Sequence, residues 1–282
     1  MPHDYRIRPM TRAEVALALD WAAAEGWNPG LHDAACFHAA DPQGFLLGLL
    51  GEEPVATISV VKYGADFGFL GFYIVKPGFR GRGLGLAIWQ AGMSCLAGRN
   101  VGLDGVPAQQ DNYRKSGFAL AWQNIRQEGM GGGQKPSDHR IVALAALPFE
   151  IVHAYDQLFF PADRGTFLRC WIGQPGGAAV GFLEGDRLQG YGVLRPCREG
   201  YKIGPLFADD PAIAESLFLA LRASAGAGEK IYLDTPAANP QAAALAQRHS
   251  MRAVFETARM YTKGAPLLPM DRMYGVTTFE LG

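Results

Sequence analysis

The chain has almost no excess charge of either sign: 26 Lys and Arg stand against 27 Asp and Glu, a formal net charge of -1. Without a bulk positive field there is little to hold a polyanion, so nucleic acid is not an expected partner. Cysteine is sparse. Cys36, Cys95, Cys170 and Cys197 form no C-x-x-C pair and sit among apolar or helical neighbours, which reads as reduced thiols in a cytoplasmic protein. The histidines make no metal spacing. The closest pair, His32 and His38, would point to different faces of a helix, so no metal is expected. Long apolar runs are missing too, with none approaching the roughly 18 residues of a membrane span. Residues 1–14 carry charge throughout and lack a signal-type apolar core. Neither a membrane nor a leader is expected.

What is present is enough to fold. The 282 residues are 49% hydrophobic and 19% charged, a composition that builds cores and argues against disorder. A glycine-rich break at Gly129–Asp138 divides the chain, giving expected domains at 1–133 and 139–282. Both halves read in one order: strand, two helices, three strands, helix, strand, helix, strand. In the first half, Thr11 and Glu14 fit a capping box ahead of a helix, a second helix is expected over Leu31–Ala40, and strands over Phe45–Leu50, Pro54–Tyr63 and Phe67–Val75. A local echo supports duplication: Leu103-Asp104 and Leu233-Asp234 each end a strand, with Pro107 and Pro236 following.

The most informative stretch is Val75–Ala87. A strand-like run enters it and a helix-like run leaves it, and between them Gly81, Gly83 and Gly85 alternate with Arg82 and Leu84 just after Arg80. Backbone without Cβ atoms lets a ligand approach closely, and amides gathered at a helix start attract anions. Two arginines at such a turn suit phosphate. A dinucleotide fingerprint would need glycine at Leu86 or Ile88, and no Gly-Lys-Ser/Thr follows for a P-loop. Further on stands Tyr113-Arg-Lys-Ser-Gly117-Phe118. In both motifs and in element order, the chain resembles the GNAT superfamily of N-acetyltransferases. Arg80 to Gly85 matches its Arg/Gln-x-x-Gly-x-Gly/Ala signature, and Tyr113 to Phe118 its Tyr-x-x-x-Gly-Phe segment. The segments Glu25–Gly30 and Tyr274–Gly282 look like those of tandem members.

The resemblance implies an α/β (α+β mixed sheet) fold of two tandem GNAT-like domains, each a mixed, mostly antiparallel sheet flanked by helices. It implies an N-acetyltransferase with acetyl-CoA as co-substrate, whose acetyl group passes by direct attack to the primary amine of a small-molecule partner or to an exposed amino group. The turn (Phe79, Arg80, Gly81, Arg82, Gly83, Leu84 and Gly85) would hold the pyrophosphate, while Ile74 and Val75 would pair with the pantetheine arm. The side chains of Leu84 and Leu86 would pack helix on sheet. Tyr113 would give a proton to the departing thiolate, since phenol and thiol pKa values lie close enough for transfer. Asp104, ending a strand beside the acetyl site, is open to two readings: base for the amine, or turn cap before Pro107. Trp27 and Asn28 fall where the acceptor site opens, although Trp27 would also serve as a core plug, and His32 and Asp33 stand nearby. In the second half Ile203–Pro211 keeps one glycine and adds Asp209 and Asp210, which reads as a degenerate turn that binds no CoA. The alternative function is a non-catalytic acyl-CoA sensor, which would keep the turn but need no Tyr113.

Overall fold

The computed structural model describes residues 4–282. The first half runs β1 (Tyr5–Pro9), α1 (Val15–Ala24), α2 (Asp33–Ala40), β2 (Phe45–Leu50), β3 (Glu53–Tyr63), β4 (Phe67–Val75), α3 (Leu84–Cys95), β5 (Asn100–Gly105), α4 (Gln110–Lys115) and β6 (Ala119–Met130). The second runs β7 (Ile141–Ala143), α5 (Phe149–Asp156), α6 (Gly165–Trp171), β8 (Ala178–Glu184), β9 (Arg187–Pro196), β10 (Tyr201–Ala208), α7 (Pro211–Ser224), β11 (Lys230–Pro236), α8 (Pro240–Arg248), β12 (Arg252–Tyr261) and β13 (Met273–Gly275). The fold is mixed α/β with helices flanking a mixed sheet. The Thr11–Glu14 capping box forms, with Thr11 N donating to Glu14 Oε2 (2.8 Å) and Glu14 N to Thr11 Oγ1 (3.3 Å). The helix expected from Leu31 begins at Asp33 instead, because Gly30 bridges to Cys197 and Leu31 N bonds Pro196 O at 2.9 Å.

One feature is not carried by element order. All strands join a single sheet in the order β1-β2-β3-β4-β5-β12-β6-β11-β10-β9-β8-β7, with β13 on β10. The halves thus trade their last strands: β12 pairs with β5, β6 pairs with β11, and β6 and β12 pair with each other. Parallel pairing is confined to β4–β5 and β10–β11. The exchange sets two buried ion pairs in register. Arg259 lies opposite Asp104 and Arg126 opposite Asp234, and the guanidiniums reach their carboxylates at 2.6 and 2.7 Å. The two pairs correspond under the internal repeat, each joining one half to the other.

The cores follow from this sheet. On one side of the first half α3 packs Ile88 and Trp89 on Ile58, Val60 and Leu70. On the other, α1 and α2 share a core with α5 and α6 that spans both halves, where Phe37 stacks on Trp171 at 5.9 Å. This shared core overturns one reading of the cysteines. Packing of α2 against α6 brings Cys36 and Cys170 to a Cα separation of 5.2 Å, and they form a disulfide between the halves. Cys95 and Cys197 are free. Among the described residues no helix is long and apolar enough to cross a membrane.

Candidate active site

The glycine turn takes the shape that its composition demands. After β4 a short 3-10 turn, Pro77–Phe79, leads into Arg80–Gly83, and both Gly81 (φ 75°) and Gly83 (φ 80°) occupy the left-handed region. Gly83 opens α3. The first helical bond runs from Ala87 N to Gly83 O at 3.1 Å, and no side chain caps the end. The preceding amides of the first turn are therefore available to an anion. A Cβ on Gly85 would stand 2.8 Å from the Tyr73 hydroxyl and 3.1 Å from Val75. Arg80 donates from Nε to Val75 O (2.8 Å) and pairs with Glu25. These residues leave a concave turn whose free amides face outward beside Arg80.

Next to it the sheet opens. β4 and β5 pair only through Phe67–Leu70 and Asn100–Leu103. Beyond that point β4 bulges at Phe72 (φ 46°), whose carbonyl accepts a 2.8 Å bond from Thr57 Oγ1. A cavity of about 480 Å³ occupies the gap. Gly81, Gly83 and Gly85 of the turn, Ile74 and Val75 of β4, and Tyr113 all line it. Tyr113, on α4, stacks on Trp89 at 5.5 Å, and a Cβ on Gly105 would come within 2.4 Å of its ring. Burial, assisted by Tyr73, pushes its hydroxyl well above the usual phenol range, which keeps it protonated but widens the gap to a thiol beyond that of the free groups.

The other expected residues divide. Arg80 lines the cavity, whereas Phe79 and Arg82 do not; they stack on each other at the surface of the turn, 5.3 Å from guanidinium to ring centroid. Leu84 is fully buried as expected, but Leu86 is 60% exposed and lines the cavity mouth instead of packing on the sheet. Trp27 is half-buried and lines the cavity, with its carbonyl accepting from Arg126 Nη1 at 2.8 Å. Asn28 does not reach the cavity. Its amide clasps the Glu199 backbone at 2.9 Å in both directions and its carbonyl accepts from Lys202 Nζ, so it is a fastener between the halves. Asp33 is likewise diverted: fully buried, it accepts from Arg195 Nε (3.0 Å) and Gly30 N (2.8 Å). His32 is exposed and lies outside the cavity lining. Asp104 borders the cavity but is neither a base nor a turn cap. Oδ1 accepts from Asn124 (2.7 Å) and Thr257 (3.2 Å), and Oδ2 from both Arg259 Nε and Nη2 (3.0 and 2.6 Å). No lone pair faces an amine.

With this geometry in place, relatives decide the family. The acetyltransferase (GNAT) family pattern matches residues 13–118, and an acetyltransferase (GNAT) domain pattern matches residues 152–275. A holothin acyltransferase from Pseudoalteromonas sp. (strain SANK 73390) is 30% identical over 275 residues, 98% of this chain and 94% of its own length. The chain belongs to the GNAT family of acyltransferases. Solved structures agree on the fold. A putative acetyltransferase from Pyrococcus horikoshii superposes with a TM-score of 0.84 at 22% identity, covering 100% of this chain and 97% of its own. A tandem GNAT protein from the clavulanic acid biosynthesis pathway gives 0.64 at 14% identity, covering 93% and 99%.

Within this tandem GNAT frame the two halves differ at the splay. In the second half β13 fills the corresponding gap, pairing with β10 through Leu206–Gly275 and Phe207–Met273. The start of α7 is already capped, since Asp210 Oδ1 accepts from Ala212 N and Ile213 N at 2.8 and 2.9 Å. What the second half contributes instead is a wall of the first half's cavity. Phe255 and Thr257 of β12, and Phe279 and Glu280 of the C-terminal tail, line it. Phe255 and Thr257 carried no sign in the sequence, while Phe279 and Glu280 lie in the Tyr274–Gly282 segment that resembles tandem members. The tail lies so close to β4 that a Cβ on Gly71 would sit 2.3 Å from Glu280 O. Among the described residues no group of three or more His, Cys, Asp or Glu is placed to hold a metal.

Proposed function

We propose that this chain transfers the acetyl group of acetyl-CoA to the primary amine of a small molecule by direct attack on the thioester. One observation carries the reading: the uncapped glycine turn, the β4 edge and the protonated Tyr113 hydroxyl meet in a single cavity. The pyrophosphate belongs on the amides of the α3 turn, with Arg80 beside it. Ile74 and Val75 offer main-chain groups to the pantetheine amides. Tyr113 donates to the sulfur as the carbon–sulfur bond breaks. The name of the holothin acyltransferase supports a small-molecule acceptor rather than nucleic acid or membrane. A cytoplasmic place goes with this reading, because the donor thioester is a metabolite of the cell interior.

The test is thiol release from acetyl-CoA across a panel of amines, repeated with Tyr113→Phe. For an acid catalyst the substitution should lower kcat by about 10²–10⁴-fold while donor affinity stays within a few-fold. Acetyl-CoA binding without thiol release from any amine, unchanged by Tyr113→Phe, would instead favour the sensor.

A further inference from the structure

Outside the donor site, the least explained group is the carboxylate of Glu280. It belongs to the tail after β13, is 4% exposed, and lines the cavity. A buried acid normally has its charge answered by a partner. Here Thr278 Oγ1 donates to Oε2 and itself accepts from Glu280 N at 3.2 Å, so the carboxylate is aimed by its own chain. Oε1 accepts no hydrogen bond among the described residues. The tail bearing it is fixed at its end: Tyr63 donates to Leu281 O at 3.1 Å, and Arg164 Nη1 reaches Gly282 O at 3.3 Å. Arg126 of β6 and Arg195 of β9 face Glu280 electrostatically; Arg126 is held by Asp234, whereas Arg195 gives only Nε to Asp33 and keeps Nη1 and Nη2 buried without a hydrogen bond among the described residues. Across the cavity stand Tyr113 and the Asp104–Arg259 pair.

The walls around that carboxylate are aromatic. Phe255 and Phe279 lie 6.3 Å apart, with Arg126 beneath them at 5.5 and 4.8 Å, and Trp27 and Phe72 complete the lining. The cavity's other acids are occupied, Asp104 by Arg259 and Glu25 by Arg80. One free carboxylate among rings suits one ammonium on a flat apolar body. A polyamine or aminoglycoside would bring further cations onto walls with nothing to pair them.

We propose that Glu280 is the base of the transfer, and that the acceptor is a compact arylalkyl amine with a single positive charge. The proposal rests on the acyltransferase reading above and names its acceptor side. Glu280 takes one proton from the ammonium and passes it to solvent. The freed nitrogen bonds to the thioester carbonyl carbon, and the carbon–sulfur bond breaks. Tyr113 protonates the departing sulfur and regains a proton from the adduct's nitrogen. The products are the amide, the thiol and one released proton. The second half thereby acts in catalysis without a donor site of its own.

The experiment uses the full chain, with acetyl-CoA as donor and benzylamine, 2-phenylethylamine, spermidine, kanamycin and a tripeptide as acceptors. The two arylalkyl amines should give the highest kcat/KM. Glu280→Gln should lower kcat at pH 7 by about 10²–10⁴-fold while calorimetric acetyl-CoA affinity is kept. Because the amine then has to arrive neutral, the variant's rate should climb about tenfold per pH unit toward the amine's own pKa. Glu280→Asp, which keeps the charge, should recover part of the loss and guards against a folding artefact. Glu280→Gln with wild-type rate and pH profile overturns the base, and preference for spermidine or kanamycin overturns the acceptor class. Failure of the wild-type chain to bind acetyl-CoA would overturn the donor reading beneath both, and calorimetry reports that separately.

Discussion

Asp104 shows how far a residue's neighbours decide its chemistry. In a turn it would cap; beside an acetyl site it would serve as a base. Its register opposite Arg259 leaves it neither. Burial disfavours the charge on Arg259, but Asp104 beside it, together with its hydrogen bonds, outweighs that and raises its pKa. Asp104→Asn should therefore leave a buried guanidinium without its anion and cost about 3–5 kcal/mol of stability. Asp234→Asn, which strands Arg126 beneath the cavity wall, should cost a similar amount. Urea denaturation of both variants checks this; a stable Asp104→Asn with only kcat reduced would restore the base. The reason Asp104 was not legible is sequence distance, since Arg259 lies 155 residues away. The glycine turn and the segment around Tyr113 were legible because each motif is local: Gly81 and Gly83 take positive φ, and Gly85 leaves room for the neighbouring Tyr73 and Val75. Glu280 carries no motif at all. What draws attention to it is the folding of the tail against β4, which puts its buried carboxylate in the cavity lining.

Elements were easier to read than their pairings. β2, β4 and β8 have the bounds that their apolar runs suggest, because a buried strand is specified by its own residues. β13 has three residues and lies below any pattern. The exchange of β6 and β12 was hidden for a different reason. As counterparts in a duplicated chain, each presents an arginine to an aspartate on the strand beside it, so either pairing satisfies the same local chemistry. The start of α1 shows an element effect that is open to measurement. The Arg8 hydrogen bond first, and Thr11 N second, lower the Glu14 carboxyl to about 2. A depressed folded-state pKa contributes stability above the unfolded value, near 4.5, and that contribution fades as pH falls toward 2. Glu14 is part-exposed, which reduces the effect to about 1 kcal/mol. Glu14→Gln should lower the unfolding free energy from urea titration at pH 6 by that amount, and the gap to wild type should narrow steadily down to pH 3. A gap near zero at every pH would mean that the bond to Thr11 N, which Gln keeps, and not the charge carries the cap.

At the scale of the molecule, the halves are joined by more than a linker. β12 stands between β5 and β6, and β6 between β12 and β11. Asp33–Arg195 crosses between the halves as a buried pair, and Cys36–Cys170 crosses as a disulfide. Separating the halves would break three strand pairings, open the Phe37–Trp171 core and expose three buried ion pairs at once. Such costs act together, so calorimetry of the full chain should show one cooperative transition rather than one per half. Reducing the disulfide should lower its midpoint without splitting it, because the sheet and the shared core remain. Residues 1–133 alone face a different outcome. β6 could close onto β5 in place of β12, bringing Arg126 opposite Asp104, so some folded material is expected by circular dichroism. That material would still lack Phe255, Thr257, Phe279 and Glu280, and with them the acceptor wall. It should therefore release no thiol with amines that the full chain acetylates, even where calorimetry detects acetyl-CoA binding. Turnover by the isolated half at the full chain's rate would show that the second half only braces the first, and two separate calorimetric transitions would show that the shared sheet does not couple them.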